Sequence, residues 1–170
     1  MYGPPLPVIL PNGNPVPDPY NGGYMMSPVP DLRPVAAEGR KTGEVFRSLL
    51  NDPESGAGAI PYLISKLFLY LYHFGYFDYQ RIGAGPILGH FRPFTYINQF
   101  RPVANFNVGL FCQQAGLSLD ETPRIAGTVA AHTIIATPNA PHGLPDLNEH
   151  FITEGFNAGA SGMFGPSAMP

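Results

Sequence analysis

Asp78, Asn105 and Asn107 are the first group whose residue types suit chemistry. A carboxylate can act as a general base and side-chain amides can hydrogen-bond a substrate, so the three could line a cleft. The same residue types also bond to nearby backbone, with Asn107 capping a helix, Asn105 bracing a loop and Asp78 capping a turn. Asp78, Asn105 and Asn107 are therefore candidate catalytic residues only if the chain is an enzyme.

A second group of titratable side chains lies near the C-terminal end: His142, Asp146, Glu149 and His150. Asp146 and His150 are four residues apart, so they share one face if this segment is helical. Such a set could bind zinc or supply general acid–base groups. Only this pair has a defined spacing, however, and helix capping gives the same pattern. We therefore expect no metal site and no bound cofactor.

Arginine and aromatic residues alternate in the segment before Asn105. They are His90, Phe91, Arg92, Phe94, Tyr96, Phe100 and Arg101. Such residues stack on nucleic acid bases in some proteins and fill protein interfaces in others. With 9 Lys and Arg against 12 Asp and Glu, the net charge is −3, and the basic residues form no stripe. We expect no nucleic acid partner, and we interpret Phe91, Phe94 and Tyr96 as protein-contact residues.

Cys112 is the only cysteine, which excludes an intramolecular disulfide and a cysteine-based metal cluster. Its neighbours are apolar, which is typical of a buried thiol rather than of a nucleophile. The longest apolar stretch falls short of the roughly 20 residues of a membrane span, so we expect none. We expect an extracellular or exported protein, although no signal peptide is visible at the N-terminus.

Apolar periodicity and capping residues predict the helices that would position these groups. The predicted helices run from Thr42 to Leu50, Ile60 to Phe74, Val108 to Ala115, Asp120 to about Ala136 and Asp146 to about Ala158. The second is apolar on nearly all sides, which is typical of a central, buried helix. The predicted fold is mainly α, with about five helices around that helix and a long aromatic loop.

The first 35 residues contain ten prolines. Proline fixes φ at about −65° and lacks an N–H, so residues 1–35 are predicted to form an extended arm with no stability of its own. We expect a neighbouring copy to hold this arm through Pro4, Pro5, Val8, Ile9, Leu10, Tyr20 and Tyr24. Residues 36–158 form the predicted helical domain, and residues 159–170 a flexible C-terminal tail.

Three motifs occur in the order in which one bacterial toxin family has them. They are Phe77-Asp78-Tyr79-Gln80, Ala104-Asn105-Phe106-Asn107-Val108-Gly109 with Arg124-Ile125-Ala126-Gly127 after it, and Ile152-Thr153-Glu154-Gly155-Phe156. Over roughly residues 75–158 the chain resembles the polymorphic toxin type 44 family, a toxin domain of exported effectors. Gln80 replaces the family's lysine, and Leu144, Pro145 and Asn148 replace acidic residues. The resemblance implies the family's fold, whereas these replacements favour a domain reused as a building block.

These observations favour a non-catalytic, self-assembling structural subunit. Only 12% of the residues are charged, and a weakly charged surface does little to prevent association. The arm would dock on a neighbouring protomer, and a head-to-tail contact of this kind extends into a filament or tubule. The alternative follows from the resemblance: an exported antibacterial toxin domain that hydrolyses RNA or cell wall and has an immunity protein as partner.

Overall fold

A computed structural model describes residues 4–83, 94–131 and 142–168 of the chain. Within these residues the fold is mainly helical, as the sequence predicts. The helices are α1 (Arg33–Asn51), α2 (Ala59–Leu71), α3 (Arg101–Gln114), α4 (Glu121–Ala131) and α5 (Asp146–Ala160). Two short antiparallel strand pairs accompany them: β1 (Leu6–Pro7) with β2 (Met26–Ser27), and β3 (Arg81–Gly83) with β4 (Phe94–Tyr96).

Helix α3 is the most buried helix, and it packs against α1 on one side and α5 on another. Glycines let α3 and α5 come close together. A Cβ built at Gly109 of α3 would collide with the carbonyl oxygen of Ile152, and one at Gly155 of α5 would collide with that of Phe106. We call this contact the α3–α5 seam. The sequence assigned the central position to Ile60–Phe74, but α3 occupies it.

Two helices begin earlier than the sequence predicts. Helix α1 begins at Arg33 rather than at Thr42, and α3 begins at Arg101 rather than at Val108. Each has a proline in its first turn, Pro34 or Pro102, where a helix does not need the missing N–H. A proline at either position therefore lies inside the helix rather than before it.

Residues 4–32, here named the strap, fold back on the helices of their own chain. Val8, Val16 and Met25 join the main hydrophobic core, and Val8 and Met25 are 0% exposed. Their backbones bond to one another: Val8 N–H donates to Met25 at 2.9 Å, and Met25 N–H donates to Val16 at 2.8 Å. The predicted extended arm is thus wrong for these residues, because turns bring three apolar side chains to one side.

A tight turn at the tip of the strap is organised by Asp18, which is buried. Its Oδ1 accepts the backbone N–H groups of Tyr20 and Asn21, both at 3.0 Å, and its Oδ2 accepts the Asn21 side-chain amide at 2.8 Å. Gly22 and Gly23 follow with φ of 80° and 72°, a conformation that glycine adopts without strain. This turn reverses the chain so that Met25 returns beside Val16.

The C-terminal residues 161–168 also pack on the helical body. Ala168 N–H donates to the backbone oxygen of Gln114 at 2.8 Å, which satisfies a carbonyl at the end of α3. Arg40 of α1 donates to the backbone oxygen of Phe164 at 2.8 Å, and Ala168 is buried. The predicted flexible tail at 159–170 is therefore wrong over the described part, which begins inside α5.

Candidate functional site

Asp78 lies in the turn between α2 and β3 and is almost fully buried. Its two carboxylate oxygens accept hydrogen bonds from Arg81 Nη1 at 2.9 and 2.8 Å, and one of them accepts the Phe74 N–H at 2.8 Å. Phe74 has a φ of 66°, in the left-handed region, so these bonds hold a strained turn. The arrangement favours a turn-stabilising role for Asp78 over a general base, because its carboxylate is already paired.

Asn105 and Asn107 both lie within α3, two residues apart and therefore on different sides of the helix. Asn107 Nδ2 donates to the backbone oxygen of Phe77 at 3.1 Å, which ties α3 to the turn at Asp78. Asn105 Nδ2 donates to the carbonyl of Arg101 at 2.9 Å. Asn107 does not cap the helix, because α3 begins at Arg101. The structure brings Asp78 and Asn107 together and leaves Asn105 on another side.

His142 and Glu149 form a pair at the start of α5. His142 Nδ1 lies 3.0 Å from Glu149 Oε1, and both side chains are partly exposed. A carboxylate at Nδ1 favours the tautomer protonated there, which leaves Nε2 able to accept a proton. The backbone of His142 packs closely against α4, since a Cβ at Gly127 would collide with its carbonyl oxygen. A positioned histidine of this kind can serve as a general base.

A surface pocket of about 300 Å³ runs along the same part of α5. It is lined by Asp146, Glu149, His150, Thr153 and Glu154. Tyr20 of the strap packs edge-on against the His150 ring at 5.5 Å between centroids, so the strap borders this region. The predicted grouping of His142, Asp146, Glu149 and His150 thus lies around one end of α5. In the described ranges, no three His, Cys, Asp or Glu side chains are placed to hold a metal ion.

The segment of alternating arginine and aromatic residues is only partly described. Tyr96 is exposed, and the Arg81 guanidinium lies 5.7 Å from the centre of its ring. Phe100 is buried, and Arg101 Nε donates to Asn148 Oδ1 at 2.8 Å. His90, Phe91 and Arg92, together with the side chain of Phe94, lie outside the described residues. The described members of this group make contacts within the chain.

The predicted contact residues of the strap divide into two sets. Val8 is buried in the core and Leu10 packs partly against it, so neither is free to meet another chain. The outward-facing set remains exposed: Pro4, Pro5, Ile9, Tyr20 and Tyr24. Alternation of buried Val8 with exposed Ile9 is the pattern of a strand with one covered face. Because Val8 and Ile9 are both apolar, the sequence does not show this alternation, and only the fold distinguishes the two.

Helix α2 presents a surface that sequence reasoning missed. Ile60, Ile64 and Phe68 are 53%, 47% and 50% exposed, and they follow one another at four-residue spacing. We call these three residues the α2 ridge. The only charged residue of α2 is Lys66, and its ammonium lies 5.6 and 5.8 Å from the rings of Tyr62 and Tyr70, on another side. The nearly continuous apolar sequence of α2 indicated burial and hid this surface.

Cys112 lies in α3 and is completely buried. Burial raises the pKa of its thiol to about 12, although a hydrogen bond with Thr122 partly opposes the shift. A thiol with so high a pKa is protonated at neutral pH and is therefore a poor nucleophile. The interpretation of Cys112 as a core residue agrees with this environment.

Comparison with known proteins gives no match: no family model, no curated protein and no solved structure is significantly similar to this chain. The likeness to the polymorphic toxin type 44 family therefore stays a prediction. None of the helices in the described ranges combines the length and the apolar character needed to cross a bilayer.

Proposed function

We propose that this chain is a non-catalytic structural subunit that associates with copies of itself. The α2 ridge is the observation that carries the proposal, because three large apolar side chains on one helix remain about half exposed. Burying such side chains away from water is favourable in proportion to the apolar area removed. A folded chain that keeps them at its surface gains by covering them with another protein surface.

Low charge over the whole chain supports the same proposal. Charged residues make up 12% of the sequence, and the net charge is −3, so repulsion between copies is weak. The strap adds a second outward-facing apolar group, with Leu6, Ile9 and Tyr24 about half exposed. Two contact regions on different elements meet the requirement for growth into a filament or tubule, since a single self-complementary contact stops at a dimer.

The role of the strap in this proposal differs from the one that the sequence suggested. Because Val8 and Met25 are buried in the chain's own core, the strap stays closed and offers only its outer side chains. Copies would meet through surfaces that are already folded. Assembly by this route needs no unfolding step and should proceed without a lag caused by strap release.

Sedimentation velocity of the full chain over a wide concentration range tests the proposal. We expect the weight-average sedimentation coefficient to rise with concentration. Because the contacts are apolar, raising the salt from 50 to 500 mM should leave association unchanged or strengthen it, whereas a charged contact would weaken. A chain that stays monomeric at every concentration would contradict the structural function.

The pair of His142 with Glu149 favours a second candidate function, an exported antibacterial toxin domain with hydrolase activity on RNA or cell wall. His142 Nε2 would take a proton from water or a hydroxyl, with Glu149 holding the ring at 3.0 Å through Nδ1. The pocket beside Glu149 would receive part of the substrate. An immunity protein would then protect the producing cell, and both candidate functions place the chain outside that cell.

Expression in a bacterial host tests the second candidate. A toxin should stop growth, and His142→Gln and Glu149→Gln should each restore it without lowering the melting temperature. Glu44→Gln is the control, because Glu44 is an exposed residue of α1 remote in sequence from the pair. Harmless high-level expression of the unmodified chain would contradict this function. Asp78→Ala is unsuitable, since it would leave Arg81 buried without its ion-pair partner.

A further inference from the structure

We infer that the α2 ridge is the contact at which one chain pairs with a second copy, in a two-fold symmetric arrangement. This inference rests on the proposed structural function and names the surface and the partner. A symmetric contact of this kind uses the same patch on both chains. Ile64, as the middle residue, would lie nearest the two-fold axis, with Ile60 and Phe68 on either side.

The spacing of the ridge suits helix–helix packing. Residues at i, i+4 and i+8 form a continuous row on a helix, and the rows of two helices interlock at a crossing angle of about −50°. Tyr72, the residue after α2, continues this row, and its ring lies 4.7 Å from that of Phe68. The contact with Tyr72 restricts the Phe68 ring, so less side-chain freedom is lost when a partner arrives.

The absence of charge on this side of α2 favours a second copy over other partners. In a two-fold contact, a charged group close to the axis meets its own copy, which is unfavourable. The ridge has no charged member, and Lys66 is turned towards the rings of Tyr62 and Tyr70. Nucleic acids and acidic or basic peptides would find no opposite charge on the ridge. The partner that suits the ridge is therefore an uncharged apolar surface, and a second copy of the chain has one.

The area of the ridge sets the strength of the pairing. A large side chain of this type that is half exposed can bury roughly 100 Å², so the three supply about 300 Å² per chain. Stable interfaces bury about 800 Å² per partner, and smaller ones are transient. The pairing is therefore weak and concentration-dependent, and the residues flanking the ridge must contribute the rest of the contact.

Substitution at the middle of the ridge tests the inference on the full chain. Ile64→Lys should raise the dissociation constant for self-association at least tenfold in sedimentation velocity. The matched control is Leu69→Lys on the same helix, where Leu69 is 45% exposed and lies about 140° around the axis from Ile64. We expect the control to change the constant less than twofold. Equal effects of the two variants, or no effect of either, would overturn the inference while leaving the structural function standing.

Cross-linking gives a second readout that does not depend on a destabilising charge. The native Cys112 is buried, so a cysteine introduced on the surface is the accessible thiol. The Ile64→Cys chain should form a covalent dimer when treated with a short bis-maleimide. The yield of dimer from the Leu69→Cys chain should be at least fivefold lower. The melting temperatures of all variants are measured in parallel. If Ile64→Lys is unfolded, Ile64→Gln replaces it in the association experiment.

Three outcomes show whether the inference fails alone or together with the function on which it rests. A wild-type chain that is monomeric at every concentration removes the structural function, and the inference falls with it. A monomeric wild type that floats with phosphatidylcholine vesicles, with flotation lost in Ile64→Lys, assigns the ridge to a lipid surface and overturns the second copy. Association that persists in Ile64→Lys and yields no dimer with Ile64→Cys moves the contact elsewhere, which overturns the inference alone.

Discussion

Helices α2 and α3 have similar lengths, but the more apolar of the two, α2, is the less buried. Helix α2 contains one charged residue in thirteen, yet only Ala59, Leu63 and Leu67 are buried. Helix α3 contains Arg101, two asparagines and two glutamines in fourteen residues, and eleven of them are buried. The comparison shows that neighbouring elements, rather than hydropathy, decide which helix becomes the core.

The difference arises from the backbones that surround each helix. Helix α3 is approached closely by α5 at Gly109 and Gly155, and by α1 at Gly39, where an added Cβ would lie 2.5 Å from the backbone oxygen of Phe111. Polar side chains there find partners in part: Asn107 Nδ2 donates to the backbone oxygen of Phe77, whereas its Oδ1 is buried with no hydrogen-bond partner among the described residues. Helix α2 packs mainly against α1, which leaves its opposite side uncovered. An apolar helix with one covered side becomes a contact surface.

The largest expected effect comes from breaking the α3–α5 seam. Gly109→Ala places a methyl group against the carbonyl of Ile152, so the two helices must separate. We expect the free energy of unfolding to fall by about 3 kcal/mol or more, measured by urea denaturation. Gly58→Ala is the matched control, because a Cβ at Gly58 would meet nothing within 4 Å. It should change stability by less than about 0.5 kcal/mol. If Gly109→Ala lowers the free energy of unfolding no more than the control does, the two helices can separate at little cost.

A pair of adjacent substitutions in α2 measures how one-sided that helix is. Leu63→Ala removes a buried side chain and should lower the free energy of unfolding by about 2 to 3 kcal/mol. Ile64→Ala removes one that is 47% exposed and should cost about 0.5 kcal/mol at concentrations where the chain is monomeric. Chemical denaturation of the two variants checks the contrast. Equal costs would mean that Ile64 is covered within the monomer.

The thiol of Cys112 reports on the interior of α3. Because burial raises its pKa to about 12, the thiol should not react with an aromatic disulfide reagent at pH 8 in the native chain. One equivalent should react rapidly once urea has unfolded the chain. The comparison sample is Leu69→Cys, whose introduced thiol on α2 should react without denaturant. Fast native reaction at Cys112 would indicate that the packing around α3 opens readily.

The smallest effect concerns His73, which follows α2 and stacks on the Tyr72 ring at 4.8 Å. Burial, and next the positive charge of Arg81, lower the pKa of His73, with Asp78 opposing them. The unfolded chain therefore takes up a proton more readily, and stability present above about pH 6.5 is lost as the pH falls. His73→Asn should show a shallower loss of unfolding free energy between pH 7.5 and 5.5. Identical slopes for the two chains would contradict this assignment.

The sequence was sufficient to predict the helical class and the approximate positions of α2, α5 and the start of α4. It missed the starts of α1 and α3, where Pro34 and Pro102 occupy the first turn. It also missed the folded strap. The partners of Val8 and Met25 are far away in the chain, and local proline content says nothing about them. Local patterns predict elements well and long-range packing poorly.

The candidate site was predicted in part. The grouping of His142 with Glu149 was visible, because both residues flank the start of one helix. The structure does not form the predicted cleft of Asp78, Asn105 and Asn107, because the two amides lie on different sides of α3. The register of α3 decides which neighbour each amide faces. Arg81, which forms an ion pair with Asp78, lies only three residues further along the sequence. The burial of this pair depends on the fold and not on the spacing. To predict the α2 ridge, one would have to know which side of α2 is covered by α1.

The closed strap has a consequence for biosynthesis. The strap leaves the ribosome before the helices on which it packs, and Tyr20 meets Phe151 of α5, far along the chain. The nascent segment must wait while nearly all of the helical body is translated. Its prolines suit that wait, since they keep the emerging chain out of premature helices and poorly matched sheets. Completion of the interior therefore follows the translation of α5 and depends on how fast the strap is captured.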